Sequence, residues 1–277
     1  MPKPVNTSAP HREEPTAAAK GPVDKALAVL DALVQPDAPH RLADLAAHTG
    51  LSKPTVHRLL HTFAEAGYAV PGPGGNYQAG PRLLGLAATA LAASRELVLA
   101  RPVLDDLRLR TGHLAHFSVR DGAVAVHVTQ SEPSSTYRVP LTAGGEVPLY
   151  CSAVGWAMLS ALPSPTAAEL LGREPLPART ARTVRDPAAV LAALPAVRER
   201  GYAVDDEYAE QDVRAIAAPV LGPGDRVAGA VGIIGLMFTL DEESVAVLGP
   251  MVRAAAGTVS AALRGGAGTL GLVRGQE

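Results

Sequence analysis

The stretch Leu42–Tyr68, LADLAAHTGLSKPTVHRLLHTFAEAGY, limits the fold more than any other part of this chain. Its apolar residues recur at helical spacing in two short runs. Leu42, Leu45 and Ala46 mark the first, and Val56, Leu59, Leu60 and Phe63, at i, i+3, i+4 and i+7, mark the second. Gly50 sits in the turn between them, where a left-handed backbone is cheapest for glycine. Ser52 is a candidate N-cap, and Pro54 falls in a first turn whose N–H groups lack helical partners anyway. Ala46 is small enough for the second helix to cross the first closely. The spacing predicts a helix-turn-helix whose second helix starts at Lys53 and reads DNA.

With the apolar set turned inward, Ser52, Lys53, Thr55, His57, Arg58 and His61 are left for solvent or a double-stranded operator. Lys and Arg suit phosphates and guanine edges, while Ser, Thr and His can meet either backbone or base. An ordinary helical hairpin with a solvated polar face is the competing reading. Charge does not decide between them. Residues 22–82 hold the cations Lys25, Arg41, Lys53, Arg58 and Arg82 and the anions Asp24, Asp31, Asp37, Asp44 and Glu65. A neutral DNA-binding unit is weak as a monomer, so the reading calls for a homodimer, or a dimer of dimers. Its half-sites would lie about 34 Å apart or a multiple of that.

Around this motif the chain divides readily. Residues 1–21 are Pro- and Ala-rich, too poor in large apolar groups to form a core, and read as a disordered tail without the apolar run of a signal peptide. Val23–Val34 reads as a helix presenting Val23, Ala26, Leu27, Leu30 and Leu33, ended by Pro36-Asp37-Ala38-Pro39. Ala69-Val70 and Tyr77-Gln78 flank a Gly- and Pro-rich turn, which predicts a wing and closes a winged helix-turn-helix over residues 22–80. Residues 81–102 read as an apolar linker helix that breaks at Pro102 and helps dimerise.

Residues 103–264 alternate helix and strand signals, which predicts an antiparallel sheet with helices packed on it, an α+β fold. His113–Val119 and Ala123–Thr129 form a hairpin around Arg120-Asp121-Gly122. Further strands are expected at Tyr137–Leu141, Tyr202–Val204, Val213–Val220 and Arg226–Ile234. Helices are expected at Ser152–Leu162, Thr166–Leu171, Pro187–Arg200 and Asp241–Leu263, and 265–277 reads as a flexible tail. Pro219 must close its strand or sit at an edge.

Three helices, the words GLSKPTVHRLLHTFAEAGY, and a wing ending in NYQAGPRLLGLA resemble the N-terminal domain of the IclR family of bacterial transcriptional regulators. Pro54 stands where that family usually has Ser or Thr, and Asn76 and Ala79 where it has a basic residue and Leu. The resemblance continues through GGEVPLYCSAVGWAMLSALP and RGYAVDDEYAEQDVRAIAAPVLGPGDRVAGAVGIIG. It implies a GAF-like effector domain that binds a small metabolite, often an organic acid. By matching position its pocket would be lined by Leu149, Ser152, Ala153 and Gly155, by Asp205 and Glu207, and by Ala217, Ala218 and Ile234.

Tyr150 replaces the family's His, Trp156 its Lys, and Ile216 its Cys or Ser; these three join the candidate lining. Gly232 and Ile234 stand where Ser residues are frequent, and Gln211-Asp212 where Gly is common. A pocket with fewer hydroxyls and cations favours a larger, more apolar or aromatic ligand over a small hydrophilic acid.

Other chemistry finds little support. No P-loop, nucleophile elbow or dinucleotide fingerprint has its structural context, so no catalytic residue and no cofactor is called for. His113 and His116, three apart, point to opposite faces of a strand and do not share a metal. The run Asp205-Asp206-Glu207 reads as a solvated strand end. Cys151, the single cysteine, excludes an internal disulfide and reads as a quiet apolar residue. No segment reaches membrane-spanning length free of Gly, Pro or charge, so a cytoplasmic protein is expected. The expectation is a regulator, repressor or activator, that binds DNA and answers to a small-molecule effector. The alternative is a metabolite-binding or catalytic α+β protein whose N-terminal helices serve assembly alone.

Overall fold

The computed structural model describes residues 21–35, 40–134 and 139–265. They form two compact units, and the chain passes from one to the other between Ser94 and Arg95. The expected tails at 1–20 and 266–277, the stop at Pro36–Pro39 and the start of the strand proposed at Tyr137 lie outside the described residues, and Val139–Leu141 is not a strand.

In the N-terminal unit, α1 (Pro22–Leu33), α2 (Leu42–Thr49) and α3 (Lys53–Glu65) surround a core of Val29, Leu33, Leu45, Ala46, Val56 and Leu60. Gly50 ends α2 with φ 67°, the left-handed turn that the motif requires. Ser52 occupies the N-cap of α3 in extended conformation. Its hydroxyl bonds the Thr55 hydroxyl at 2.9 Å rather than a backbone amide, so it does not cap through its side chain. Strands β1 (Ala69–Pro71) and β2 (Tyr77–Ala79) make the wing, which Tyr77 ties to the start of α2 by donating its N–H to the His40 carbonyl at 2.9 Å.

The apolar face of α1 needs correction. Val29, Ala32 and Leu33 enter the core, whereas Val23 and Leu27 are 70% and 53% exposed. With Pro22, Ala26, Leu30 and Phe63 these outer residues line an open apolar groove of about 270 Å³. The helix therefore carries two apolar faces, and the core takes the one that meets α2 and α3. Helix α4 (Pro81–Ala93) buries none of its residues, and Leu84 and Leu86 are more than half exposed.

The helix following the wing breaks at Ser94 and not at Pro102. Ser94 leaves the helical basin with ψ 109°, and Glu96 then starts α5 (Arg95–Thr111) on the residue type that a helix N-terminus favours. Pro102 lies inside α5. The carbonyl that it cannot reach belongs to Val98, an exposed residue.

The C-terminal unit is built on one antiparallel sheet. Its strands are β3 (Leu114–Asp121), β4 (Val124–Ser131), β5 (Glu146–Pro148), β6 (Ala203–Asp206), β7 (Val213–Leu221) and β8 (Val227–Leu236), ordered β5-β4-β3-β8-β7-β6. The hairpin turns on Gly122-Ala123 because Asp121 pairs with Val124, one step later than the sequence suggests. The short edge strand β5 has no alternation of its own to announce it. Pro219 is tolerated within β7 because β6 pairs only as far as Ala217, leaving the proline on a local edge.

One sheet face, through Ala115, Phe117, Ile216, Ala218, Val231 and Ile233, packs on α5 and α9 (Glu242–Arg264). Helix α9 is long and apolar enough to cross a membrane, but here Val252, Ala256, Val259 and Leu263 are buried against the sheet. The other face carries short residues, Ala125, Ala203, Ala215, Ala217 and Ala230, under α6 (Ala153–Ala161), α7 (Ser164–Leu171) and α8 (Pro187–Arg200). Side chains of one carbon let α6 settle closely on the strands. Its first turn is equally tight: a Cβ on Gly155 would fall 2.1 Å from the Leu149 carbonyl oxygen. Gly155→Ala, favourable by about 1 kcal/mol in a free helix, should here destabilise the protein by about 1–3 kcal/mol, read from the midpoint of urea unfolding.

Candidate functional site

Helix α3 presents the nucleic-acid candidates as the sequence predicts. Val56 and Leu60 are fully buried, and Lys53, His57, Arg58 and His61 are exposed. Neither the Lys53 ammonium nor the Arg58 guanidinium has a carboxylate partner among the described residues, so both are open to phosphate or base. Ser52 is exposed and Thr55 half-buried, their hydroxyls occupied with each other. His61 lies 3.4 Å from Glu65, a contact that becomes an ion pair only when the ring is protonated. This leaves Lys53, His57 and Arg58 as the less encumbered side chains of the face.

In the C-terminal unit strand alternation separates the effector candidates. Ala217 and Ile234 pack on the α6 side together with Leu149, Tyr150, Ala153 and Trp156. Ile216 and Ala218 point the other way, into the core beneath α5 and α9, and cannot line the same pocket. Ser152 is buried and caps α6, accepting from the Gly155 N–H at 3.2 Å and donating to the Pro148 carbonyl at 2.8 Å. Tyr150 donates its hydroxyl to the Pro177 carbonyl at 2.8 Å, and burial pushes its pKa up to about 12. Trp156 donates its indole N–H to the Tyr150 carbonyl and sets its ring 5.5 Å from that of Tyr208. Two aromatic rings thus wall the α6 side, and the hydroxyls nearby are engaged in holding the frame.

The run Asp205-Asp206-Glu207 is not the solvated strand end that its composition suggests; its three carboxylates meet three different ends. Asp205, 4% exposed, accepts from the backbone N–H groups of Tyr208 (2.7 Å) and Ala209 (3.4 Å). Burial outweighs those bonds and raises its pKa to about 7. Asp206 faces the other side of the strand, where the Arg214 Nε donates to it at 2.9 Å and Arg182 pairs with it. Glu207 takes a left-handed backbone (φ 63°). It accepts from the Asp212 N–H at 3.0 Å and from Arg182 at 2.9 Å, so its carboxylate shapes the loop and is not open to a ligand. Arg182, 24 residues before Asp206, carries no signal in the sequence that announces this network. Cys151 is fully buried; burial and the neighbouring Asp205 raise its pKa to about 12, which keeps the thiol protonated and unreactive.

The histidines divide differently from the sequence reading. His113 stands apart, its ring against the Gly235 backbone. His116 on β3 and His127 on β4 meet edge to face, with ring centroids 5.0 Å apart. Burial lowers the pKa of both, that of His127 to about 4, so both rings are neutral.

Because the pKa of Asp205 is raised in the folded chain, folding favours its protonated form. The stability from this group is complete below about pH 4, falls as pH rises toward 7, and is constant above that. Wild type should therefore lose stability relative to Asp205→Asn between pH 4 and 7, by about 4 kcal/mol at most, measured by urea unfolding of both proteins across that range.

The chain matches two family descriptions in sequence. "IclR helix-turn-helix domain" covers residues 22–73, and "Bacterial transcriptional regulator IclR C-terminal" covers residues 90–261. It is similar to the Pca regulon regulatory protein of Pseudomonas putida, 30% identical over 210 residues that span 76% of this chain and 72% of that protein. Its fold is similar to an IclR transcriptional regulator of Alicyclobacillus acidocaldarius (TM-score 0.78, 25% identity, 87% and 97% of the two chains). It is likewise similar in fold to an IclR homolog of Microbacterium hydrocarbonoxydans complexed with 4-hydroxybenzoate (TM-score 0.77, 22% identity, 88% and 100% of the two chains). With family matches over both the DNA-reading unit and most of the α+β unit, the chain belongs to the IclR family of DNA-binding transcriptional regulators.

Proposed function

We propose that this regulator works as a homodimer, or a dimer of dimers, in the cytoplasm, and that an aromatic or otherwise largely apolar metabolite in the C-terminal unit alters its grip on an operator. The observation that carries the DNA half of this reading is the outer face of α3, where Lys53, His57 and Arg58 stand exposed above a buried Val56–Leu60 seam. Dimerisation is supported by the apolar surface that the N-terminal unit leaves open, on the outer face of α1 and along α4. It is also supported by charge: with as many anions as cations over residues 22–82, one reading head has little electrostatic affinity, and two linked heads multiply it.

The effector half rests on the lining. Trp156 and Tyr208 supply aromatic wall, Ala217 and Ile234 a short apolar floor, and the hydroxyls of Ser152 and Tyr150 are already spent on backbone carbonyls. Such a surface rewards apolar area and offers few anchors to a small hydrophilic acid. The ligand acts by binding the DNA-competent and DNA-incompetent populations unequally, since equal affinity would shift nothing.

The test is fluorescence anisotropy of the full chain on its own upstream DNA and on random DNA through a salt series. The reading predicts a preference for the upstream sequence and a steep fall of log K with log salt. Equal affinity for both DNAs with a flat salt response would instead mean that the N-terminal helices serve assembly alone. Arg58→Ala should weaken specific binding by about 1–3 kcal/mol and flatten the sequence preference; unchanged affinity removes Arg58 from the interface.

A further inference from the structure

The lining assembled on the α6 side is sealed. Leu149, Tyr150, Ala153, Trp156, Asp205 and Ala217 are all 8% exposed or less, so a ligand reaches them only if part of their cover moves. Helices α7 and α8 are fixed by buried Ala167, Leu171, Val190, Leu194 and Val197. The stretch between them, 172–186, has neither helix nor strand, and its part 176–185 is a loop closed at its base. There the Leu176 N–H donates to the Arg185 carbonyl at 2.8 Å, and the Arg185 Nε donates back to the Leu176 carbonyl at 3.1 Å. Leu176 itself is packed in the core. With its ends pinned together this is a compact loop, whose tip can swing without disturbing either helix.

The tip, 177–183, places no large apolar side chain in the core: Pro177, Ala178, Arg179, Ala181 and Arg182 are exposed. Among the described residues its hydrogen bonds to the rest of the unit each use a side chain. The Tyr150 hydroxyl, donating to the Pro177 carbonyl at 2.8 Å, ties the tip to the start of α6. The other links meet the turn after β6. The Arg179 Nε donates to the Ala209 carbonyl at 3.1 Å, the Thr180 Oγ1 to the Glu207 carbonyl at 2.6 Å, and the Thr183 Oγ1 to the Tyr208 carbonyl at 2.8 Å. Arg182 pairs with Asp206 and Glu207. Water takes over such bonds when the tip lifts, which puts this segment at the low-stability end of the unit. The turn it leaves keeps its own bonds: Asp205 accepts from the Tyr208 and Ala209 N–H groups, and the Glu207 N–H donates to the Val213 carbonyl at 3.1 Å. Tyr208 of this turn carries the ring that faces Trp156, so the tip bridges the start of α6 and the aromatic wall.

We propose that loop 176–185 is the gate of the effector site: its tip lifts off the 207–209 turn to admit a largely apolar ligand to Trp156 and Tyr208, and closes again over it. This rests on the reading of the C-terminal unit as an effector domain. The open loop is a minor population, and the rate of ligand entry scales with that population. Removing one link raises the open fraction by the worth of that link, about tenfold for a hydrogen bond and about threefold for an exposed ion pair.

Two reporters stand at the sealed lining, the single cysteine, Cys151, and the single tryptophan, Trp156. Iodoacetamide should alkylate Cys151 of the full chain slowly, at a rate nearly independent of low urea, as a local opening requires. Thr180→Val should speed alkylation about tenfold and Arg182→Gln about threefold. Benzoate entry, followed by stopped-flow Trp156 fluorescence, should quicken by the same factors. Ser260→Ala removes the acceptor of the Leu221 N–H (2.9 Å) on the opposite face of the sheet. It should lower stability to urea and leave both rates unchanged. Alkylation that rises steeply with urea, as global unfolding does, or loop variants no faster than Ser260→Ala, overturn the gate. So does benzoate entry that ignores the loop variants. The effector reading fails separately. If the loop variants speed both rates while saturating benzoate leaves DNA affinity unchanged, the gate stands and the effector role falls. If benzoate changes DNA affinity while both rates ignore the loop variants, the effector role stands and the gate falls.

Discussion

The close seating of α6 on the sheet is the constraint on which the C-terminal unit depends. Helix and strands meet through one-carbon side chains, Ala153 and Ala157 above and Ala203, Ala215, Ala217 and Ala230 below. Gly155 brings the helix start against the Leu149 backbone. Packing at this distance leaves no room for long polar side chains from the strands beneath the helix. Among the described residues the buried polar groups of this face include Asp205 on the edge strand β6 and His116 and His127 on β3 and β4. Burial disfavours the charged form of each group: it raises the pKa of Asp205 to about 7, lowers that of His127 to about 4 and lowers that of His116.

What could be read from the sequence follows the range over which each signal acts. The helix-turn-helix, the caps at Asp186 and Asp241, and the turn glycines Gly50 and Gly201 depend on neighbours within about four residues, and the sequence displays them directly. The two apolar faces of α1 were indistinguishable by periodicity, because only α2 and α3 decide which one is buried. The break at Ser94 is hidden by a stronger-looking signal at Pro102, which α5 accommodates opposite the exposed Val98.

The candidate site was legible residue by residue but not as a group. Strand alternation, applied to β7, separates Ala217 from Ile216 and Ala218 without any structure; matching positions to a family motif ignored it. Arg182 reaches Asp206 and Glu207 from beyond α8, and Arg214 reaches Asp206 across the β6–β7 pairing, partners that a charge run alone cannot reveal. Spacing within β3 alone cannot show the histidine pair. The pairing that matters runs across the hairpin, where the shifted register sets His127 opposite Ser118.

The central claim is that a ligand in the C-terminal unit governs DNA binding. The most direct measurement is the affinity of the full chain for its specifically bound upstream DNA, with a saturating aromatic acid, benzoate, and then with a small hydrophilic one, pyruvate. The account predicts a change of at least about threefold with the aromatic acid, well within the range of allosteric couplings, and a smaller one with pyruvate. DNA affinity indifferent to both, or a larger response to pyruvate, would contradict it.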